Sequence, residues 1–314
     1  MTVTSADVAR HAGLSRATVS QVLNGHAHRF AVETAERVLK AAKELDYEPS
    51  TAGRMLRTGL SDFVIALVPN TTFGGNLQDI FDTVTEQLAK RGLTLVLRLS
   101  TQSPSSLDRI LAGMKPRAVL SLQPFTDQEK SILAERGVPS FDTSTSGNLN
   151  YSIGRIQAEH LVAQGYQRIA FAHLRDNRLD PYGDDRENAV KDVCREAGLP
   201  APMVFGLGVD AAEAGAALDL LKPGVGVACY NDDIAITLLN AANRRGWSVP
   251  ADIGLVGMDN TPLSQVTNPR LTTIGYDLAA VAQLSVAAAL AALGEGEVPA
   301  AADIELHLIA GDSA

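Results

Sequence analysis

The residues best suited to chemistry lie at the start of the chain, in TSADVARHAGLSRATVSQVLN, which spans residues 4–24. Arg16, Ser20, Gln21 and Asn24 recur at helical spacing and carry hydrogen-bond donors and acceptors. Side chains of this kind suit base edges and phosphate oxygens. The stretch therefore predicts a helical surface that contacts DNA.

Two short helices joined by a tight turn would position these side chains. Thr4 can cap a first helix over Ser5–Ala12, with an aspartate three residues after the cap in the capping-box position. Gly13 tolerates the positive φ of a sharp turn, and Ser15 can cap a second helix from Arg16 to about Leu23. The predicted apolar seam between the two helices consists of Val8, Leu14, Val19, Val22 and Leu23.

A third helix is predicted over Val32–Leu45, before a proline stop at Pro49. Its apolar residues at helical spacing are Val38, Leu39, Ala42 and Leu45. A helical hairpin that caps a larger core would also explain the first two helices. Three helices within the first 49 residues favour a small DNA-binding head instead.

Charge is unevenly distributed along the 314 residues, whose formal net charge is −9. Residues 1–60 hold eight Lys and Arg against six Asp and Glu, whereas the remainder holds nineteen against thirty. The head is therefore mildly basic and the body repels phosphate. Only the head is expected to meet DNA, with weak non-specific binding that depends strongly on salt.

The two cysteines, Cys194 and Cys229, lie in apolar surroundings without the spacing of metal ligands. They are predicted to be buried free thiols of a protein in the reducing cytoplasm. The sequence shows no signal peptide, and no apolar run reaches the roughly twenty residues that a membrane span needs. A cytoplasmic location without membrane contact is therefore expected.

From residue 63 onward, short apolar runs alternate with amphipathic segments. The run FVIALV over Phe63–Val68 is typical of a buried strand, and Ile80, Val84 and Leu88 mark one face of a helix at about 77–90. Further strands are predicted at 93–99, 118–122, 139–142, 168–172, 203–205, 226–230 and 253–258, and further helices at about 105–112, 127–136, 153–164, 185–197, 211–221 and 232–245. This alternation predicts an α/β body of two lobes, each a doubly wound parallel sheet covered by helices on both faces.

Two long motifs resemble the LacI/GalR family of transcriptional regulators. VTSADVARHAGLSRATVSQVLNG followed by YEPSTAGRMLRTGLS is similar to the start of that family, and NDDIAITLLNAANRRGWSVPADIGLVGMDN followed by PRLTTIG is similar to its C-terminal motifs. The resemblance implies an all-α helix-turn-helix DNA-binding domain at 1–48 and a hinge-helix linker at 49–61. It also implies a periplasmic-binding-protein-like effector-binding and dimerisation domain of two lobes at 62–314.

The resemblance implies that the linker folds as a hinge helix on the operator and that Leu56 wedges into the minor groove. Without DNA a helix this short is marginal, so a flexible linker is the alternative. Gly53 and Ala31 replace the family's usual alanine and capping serine, each at a cost of roughly 1 kcal/mol. The predicted DNA-binding residues are Thr4, Ser15, Arg16, Ala17, Thr18, Ser20, Gln21, Asn24, Arg29, Arg54 and Leu56.

Arg186, Asn231 and Asp259 match family positions that bind the effector, and Asp142 lies near another such position. A guanidinium with carboxylates and an amide can bind the hydroxyls of a polyol. Each residue also has a structural interpretation: Asp259 could cap a turn before Thr261, and Asn231 could satisfy loop backbone. For Asp142 the two interpretations are evenly balanced.

The aromatic platforms that stack on sugar rings in the family are mostly replaced. Asn76-Leu77, Ala211 and Leu278 stand where relatives often have aromatic side chains. Phe73, Phe125 and Tyr276 are the candidates that could compensate, and Phe73 and Tyr276 complete the predicted effector set. A sugar or sugar derivative is expected, with a nucleoside or another small polar metabolite as an alternative.

The sequence thus predicts a transcriptional regulator, in the role of a repressor, that binds double-stranded DNA and a small-molecule effector. A homodimer would read a pseudo-palindromic operator through the major groove. No cofactor and no enzymatic activity are expected. Gly206-Leu207-Gly208 is a lone GxG without the third glycine of a dinucleotide-binding motif. Asp184-Asp185 is interpreted as a solvated pair of carboxylates. The alternative is a solute-binding or sugar-modifying protein with an incidental helical N-terminus. The sequence leaves open which effector binds, whether it acts as inducer or corepressor, and whether the protein forms a tetramer.

Overall fold

The computed structural model describes residues 3–23, 27–47, 59–68, 75–99, 104–122, 124–142, 149–175, 182–297 and 304–314. Two compact units are present: residues 1–63 with 110–117, and residues 64–109 with 118–314. Most of the predicted linker, at residues 49–58, lies outside the described residues. The predicted domain boundaries therefore stay predictions.

The head begins with two helices separated by a tight turn, α1 (Ser5–Ala12) and α2 (Arg16–Gln21). The backbone N–H of Thr4 donates to Asp7 Oδ2 at 3.0 Å. Gly13 ends α1 with φ +63°, in the left-handed region. The hydroxyl of Ser15 accepts from the backbone N–H of Thr18 at 3.0 Å. Both predicted N-caps and the predicted turn glycine are confirmed.

A 3₁₀ turn at Ala27–Arg29 and helix α3 (Val32–Glu44) complete the three-helix head. Its buried core comprises Val8, Ala9, Ala12, Val19, Val22, Ala35, Val38, Ala41 and Ala42, with Leu14, Leu23 and Leu45 packed against it. Leu39, one of the apolar residues at helical spacing, is 54% exposed and lies outside this core. The buried stripe of α3 is filled by alanines at positions three and four residues apart, and Leu39 falls outside that stripe.

From residue 63 onward, the chain alternates strands and helices as predicted. Its strands are β1 (Phe63–Val68), β2 (Thr94–Leu99), β3 (Ala118–Ser121), β4 (Ser140–Phe141), β5 (Ile169–Leu174), β6 (Met203–Leu207), β7 (Val225–Cys229), β8 (Ile253–Val256), β9 (Thr273–Tyr276) and β10 (Leu306–Ile309). Its helices are α4 (Gly75–Ala89), α5 (Pro104–Met114), α6 (Asp127–Glu135), α7 (Leu149–Ala163), α8 (Gly183–Glu196), α9 (Ala211–Leu220), α10 (Asp232–Arg245) and α11 (Leu278–Ala292).

Two parallel four-stranded sheets form two lobes, in the orders β2-β1-β3-β4 and β6-β5-β7-β8. Val64 on β1 pairs with Ala118 on β3 in the first lobe, and Ile169 on β5 pairs with Gly226 on β7 in the second. All of β3 and β7 is buried, as expected for strands covered on both faces. The predicted fold class is confirmed.

The chain returns from the second lobe to the first near its C-terminal end, beyond residue 258, where no helix or strand was predicted. Helix α11 places Ala282 and Ala289 in the buried core of the first lobe, beside Ile80 and Val84 of α4. Strands β9 and β10 pair antiparallel, with Ile274 opposite Leu308. The sequence of α11, LAAVAQLSVAAALAA, is apolar almost all round, so it lacks the polar face by which a helix is recognised.

Cys194 and Cys229 are buried and free, as predicted. Burial raises the pKa of both thiols above the usual range. Among the helices in the described part of the chain, none is long and apolar enough to cross a membrane.

Candidate functional site

Helix α2 presents the predicted base-reading side chains to solvent. Arg16, Ala17 and Gln21 are exposed, whereas Val19 on the opposite side is fully buried in the head core. The Ser15 cap and this buried valine together fix the rotation of α2 about its axis. A helix held in this way can enter the major groove with its N-terminal residues toward the bases.

Two head arginines have charge available for DNA. Among the described residues, no carboxylate forms an ion pair with Arg16 or Arg29, and both side chains are exposed. Thr4 is exposed as well, but its hydroxyl donates to Asp7 Oδ2 at 2.6 Å. Ser20 and Thr18 are half-buried on α2. The predicted contacts Asn24, Arg54 and Leu56 lie outside the described residues.

Arg186 on α8 is the most firmly held of the predicted effector residues, with only 6% of its surface exposed. Its Nε and Nη2 donate to Asn150 Oδ1 at 3.1 and 3.0 Å, and its Nη1 donates to the backbone carbonyl of Tyr230. Its Cζ lies 5.0 Å from the ring centre of Tyr230 and 5.8 Å from that of Tyr182. These contacts hold the guanidinium in one orientation before any ligand binds.

The close approach of α7 and α8 makes this placement possible. A Cβ atom at Gly154 on α7 would lie 2.3 Å from the carbonyl oxygen of Arg186. Glycine is therefore required at position 154 for α8 to sit at this depth.

Asn231 and its neighbour Asp232 organise the end of strand β7. Asn231 Oδ1 accepts from the backbone N–H of Ile234 at 3.1 Å and so caps α10. Asp232 is fully buried and accepts from the Thr273 hydroxyl, and from the backbone N–H and hydroxyl of Thr261 at 2.7 and 3.0 Å. Burial raises the pKa of Asp232, although these hydrogen bonds oppose the rise. Asn231 thus has the local structural role considered from sequence, and its effector role stays a prediction.

Asp259 follows strand β8 in an unusual backbone conformation, with φ +105°. Its backbone N–H donates to the carbonyl of Ile274 at 2.9 Å. Burial raises the pKa of Asp259 to about 7, the charges of Asp232 and Asp233 add to the rise, and Arg186 opposes it. The backbone N–H of the following Thr261 is bonded to Asp232, which weakens the interpretation of Asp259 as a turn cap.

Tyr276 and Asn76 connect this group to the first lobe. Asn76, near the start of α4, donates through Nδ2 to the backbone carbonyl of Asp259 at 2.8 Å. Burial raises the pKa of Tyr276 to about 12, the Asp259 charge adds to the rise, and a hydrogen bond with Asn76 opposes it. Burial also raises the pKa of Tyr182, which feels the charges of Arg186 and Asp259. Arg186, Asp259 and Tyr276 are therefore brought together beside an inter-lobe contact.

The remaining predicted effector residues lie elsewhere. Asp142 Oδ2 accepts from the backbone N–H of Phe125 at 2.7 Å and so links the loops that follow β4 and β3. Phe125 is only 6% exposed, and Leu278 packs against the first-lobe core. Phe73 lies outside the described residues.

Sequence reasoning missed three residues of this group: Asn150, Tyr182 and Tyr230. Tyr182 precedes Arg186 by one helical turn, and Tyr230 stands directly before Asn231 at a strand exit. Aromatic residues beside polar residues at the carboxyl ends of strands are the signal that could have identified them.

The glycines at 206–208 do not form a phosphate loop. Gly206 and Leu207 belong to β6, and the backbone N–H of Gly208 donates to Glu213 Oε2 at 2.7 Å. The Gly208 N–H is thus already bonded to a carboxylate.

Two family models match parts of this chain, and proteins of known sequence or structure are similar to most of it. Residues 4–50 match the model described as bacterial regulatory proteins, lacI family, and residues 158–314 match the periplasmic binding protein-like domain. The HTH-type transcriptional regulator GntR of Pseudomonas aeruginosa is 31% identical over 331 residues, covering 98% of this chain and 94% of that protein. The ribose operon repressor of Halalkalibacterium halodurans is 30% identical over 294 residues, covering 88% and 86%. The structure of a lac repressor dimer bound to operator and the anti-inducer ONPF has a TM-score of 0.81 at 22% identity, covering 100% of this chain and 99% of that chain.

Proposed function

The chain belongs to the lacI family of bacterial regulatory proteins and is a DNA-binding transcriptional regulator, and we propose that it is a repressor controlled by a small polar metabolite. In this proposal the metabolite is a sugar or sugar derivative that binds between the two lobes and alters operator affinity. The ribose operon repressor, named for a sugar operon, supports this class of effector. The protein acts in the cytoplasm, where its DNA target lies, and has no enzymatic role.

The observation that carries the effector proposal is the orientation of the buried Arg186 guanidinium. Three of its five N–H groups donate to described residues, which leaves donors for a ligand. Asp259 supplies a carboxyl group that can donate or accept near neutral pH, because its pKa is about 7. A cluster of this composition can bind vicinal hydroxyl groups, and the partly exposed Tyr182 provides an apolar face beside it.

The DNA-binding proposal rests on the exposed face of α2. Arg16, Ala17 and Gln21 would read base edges in one half-site, and Arg29 would contact the phosphate backbone. The predicted hinge contacts Arg54 and Leu56 belong to the same proposal. A solute-binding protein would have no use for this face, so the alternative function finds no support in the head.

A homodimer is proposed through apolar sheet edges of the second unit. Leu97 and Leu99 on the edge strand β2 are 45% and 64% exposed. Met203 and Val204 on the edge strand β6 are 44% and 39% exposed. Exposed apolar edge strands favour association, and a two-fold dimer would present two heads to a pseudo-palindromic operator.

The inter-lobe contact suggests how the effector acts. A ligand that bonds to Arg186 and Asp259 would change the surroundings of the Asn76–Asp259 hydrogen bond and hence the angle between the lobes. That angle would set the spacing of the two hinge segments in the dimer. Because coupling between sites is reciprocal, operator and effector must change one another's affinity by the same factor.

Selection of operator sequences from random DNA with the full chain tests the DNA-binding part. We expect a pseudo-palindrome whose half-site preference relaxes in Arg16→Ala and is retained in Arg245→Ala, a control arginine on α10. If no sequence is enriched, or if Arg16→Ala selects the same half-site with the same strength, the reading face is wrong.

Thermal unfolding with a panel of sugars, sugar phosphates and nucleosides tests the effector part. A ligand present at a hundred times its dissociation constant should stabilise the protein by about 2.7 kcal/mol. That compound should fail to stabilise Arg186→Lys and Asp259→Asn, and it should shift operator titrations of the wild type. A stabilising compound that leaves operator affinity unchanged would contradict the proposed coupling.

A further inference from the structure

A second group of chemically active side chains lies on the second lobe, outside the Arg186 cluster. His173 on β5 and Asp184 and Glu187 on α8 bring one imidazole nitrogen and two carboxylate oxygens within 4.8 Å of one another. His173 Nε2 lies 2.7 Å from Glu187 Oε2. We propose that His173, Asp184 and Glu187 bind a divalent transition-metal ion of the Zn²⁺ type.

The three donors are mounted on rigid elements. Asp184 and Glu187 stand three residues apart in the first turns of α8, so their side chains share one face of the helix. His173 lies near the carboxyl end of β5, and its ring packs edge-on against Phe171 with the centroids 4.7 Å apart. The side chains of His173 and Glu187 are only 18% and 17% exposed. The group is therefore partly shielded from water and open on the side of Asp184, which is exposed.

The donor set has the chemistry that such an ion requires. Zn²⁺ takes imidazole nitrogen and carboxylate oxygen at about 2.0–2.2 Å, and two carboxylates balance its charge. Donor atoms around such an ion are roughly 3–4 Å apart, so small side-chain rotations from the observed separations suffice. Three protein donors leave a fourth position for water or for an oxygen of another ligand.

Lys191 provides a test that distinguishes a metal site from an ion-pair cluster with only a structural role. The ammonium group of Lys191, one turn further along α8, contacts Glu187 Oε1. A metal ion and Lys191 compete for the same carboxylate. Removing the lysine charge should therefore tighten metal binding, whereas it would only weaken an ion-pair cluster.

The proposed metal site lies next to Arg186, one of the predicted effector residues. Glu187 directly follows Arg186 in α8, so a metal ion bound to Glu187 would constrain the helical turn that carries the Arg186 guanidinium. Metal binding itself does not depend on the effector proposal, because its donors make no use of Arg186 or Asp259.

Titration of the tag-free full chain, stripped with EDTA and dialysed, tests the site with Co²⁺ and Zn²⁺ alone. Co²⁺ binding is followed by its visible absorption and Zn²⁺ binding by calorimetry. We expect one ion per chain, with affinity at least tenfold lower in His173→Gln and Asp184→Asn and several-fold higher in Lys191→Gln. His307→Gln is the control, since His307 is an exposed histidine on β10, beside Glu305 and outside the proposed metal site.

The proposal is overturned if no ion binds, if the four variants bind equally, or if Lys191→Gln fails to tighten binding. The Co²⁺ spectrum provides a second measurement on His173→Gln, because loss of the nitrogen ligand changes the absorption even where some binding remains. Circular dichroism establishes that each variant retains its fold. Loss of metal binding with intact operator selection would leave the proposed function standing, so the two proposals fail separately.

Discussion

Replacing Asp259 by asparagine should remove a pH dependence from the stability of the second lobe. The ordinary pKa of this carboxyl is 3.8, and burial raises it to about 7 in the folded protein. As the pH rises from about 4, the unfolded chain releases this proton while the folded chain retains it. Asp259 therefore stabilises the fold fully below pH 4 and loses that contribution as the pH rises to about 7.

The size of the effect follows from the same two values. The difference between 3.8 and about 7, at roughly 1.4 kcal/mol for each pH unit, gives about 4 kcal/mol as an upper bound. Because Asp259 is half-buried, solvent screening reduces this to roughly 2 kcal/mol. The free energy of unfolding of Asp259→Asn minus that of the wild type should therefore rise by about 2–4 kcal/mol between pH 4 and pH 8.

Urea unfolding monitored by Trp247 fluorescence measures this difference. Trp247 is the single tryptophan of the chain and packs against the core of the second lobe, so its signal reports the relevant unfolding. Glu213→Gln serves as the control within the same lobe, because hydrogen bonds from the Gly208 backbone N–H and from Arg175 lower the pKa of Glu213 and predict a dependence of opposite sign. A difference between Asp259→Asn and wild type that stays constant from pH 4.5 to 7.5 would refute the buried-acid argument.

Four further substitutions, one of them a control, test other parts of the structure. Gly154→Ala should destabilise the protein by about 1–3 kcal/mol in urea unfolding, because its methyl group would meet the α8 backbone at 2.3 Å. Gly215→Ala, in open space on α9, should be neutral or stabilising by up to about 1 kcal/mol, and equal losses in the two variants would contradict this packing argument. Ser15→Ala should cost about 1 kcal/mol through the lost α2 cap, seen as faster hydrogen exchange of α2 amides, and unchanged exchange would argue against the cap. Asn76→Ala removes the bond to the Asp259 carbonyl and should increase the radius of gyration of the effector-free protein in X-ray scattering, whereas identical curves would show that this bond does not hold the lobes.

The helix and strand pattern could be predicted where local signals agree with tertiary structure. Helix α10 begins and ends as predicted because Asn231 caps its first turn and Gly246 adopts φ +79° at its end. Strand β1 was found with its correct bounds because a continuous apolar run is what a strand buried on both faces requires. In both cases the information lies in residues within the element or directly at its ends.

The return of α11 to the first lobe could not be predicted in the same way. The alanines of α11 pack against α4 and against the first-lobe sheet. The helix therefore lacks the polar face that an analysis of hydrophobic periodicity detects. Strands β9 and β10 are four residues each and pair with one another across the 29 residues between them, which no local pattern encodes. In the head, small alanines and not Leu39 fill the tight contact between helices, so the largest apolar residue of α3 does not mark its buried face.

The effector group shows the same division between local and long-range information. Arg186, Asn231 and Asp259 could be proposed from motifs, but their partners depend on which strand ends meet. Tyr230 bonds to Arg186 through a backbone carbonyl, and Asp232 holds Thr261 and Thr273 from two different segments. Contacts made through backbone atoms or between distant loops leave no residue-type signature, so only the folded structure reveals them.

The proton of Asp259 bears on the class of effector that the site can accept. With a pKa of about 7, the carboxyl can take either charge state near neutral pH at little free-energy cost. Beside the Arg186 guanidinium, the ionised form accepts from the hydroxyl groups of a neutral sugar, and binding would then release a proton. The protonated form can instead donate to a phosphate or carboxylate that pairs with Arg186, and binding would then take up a proton. One pair of residues thus accommodates both neutral and anionic sugar derivatives, which explains why residue types at this site do not distinguish them.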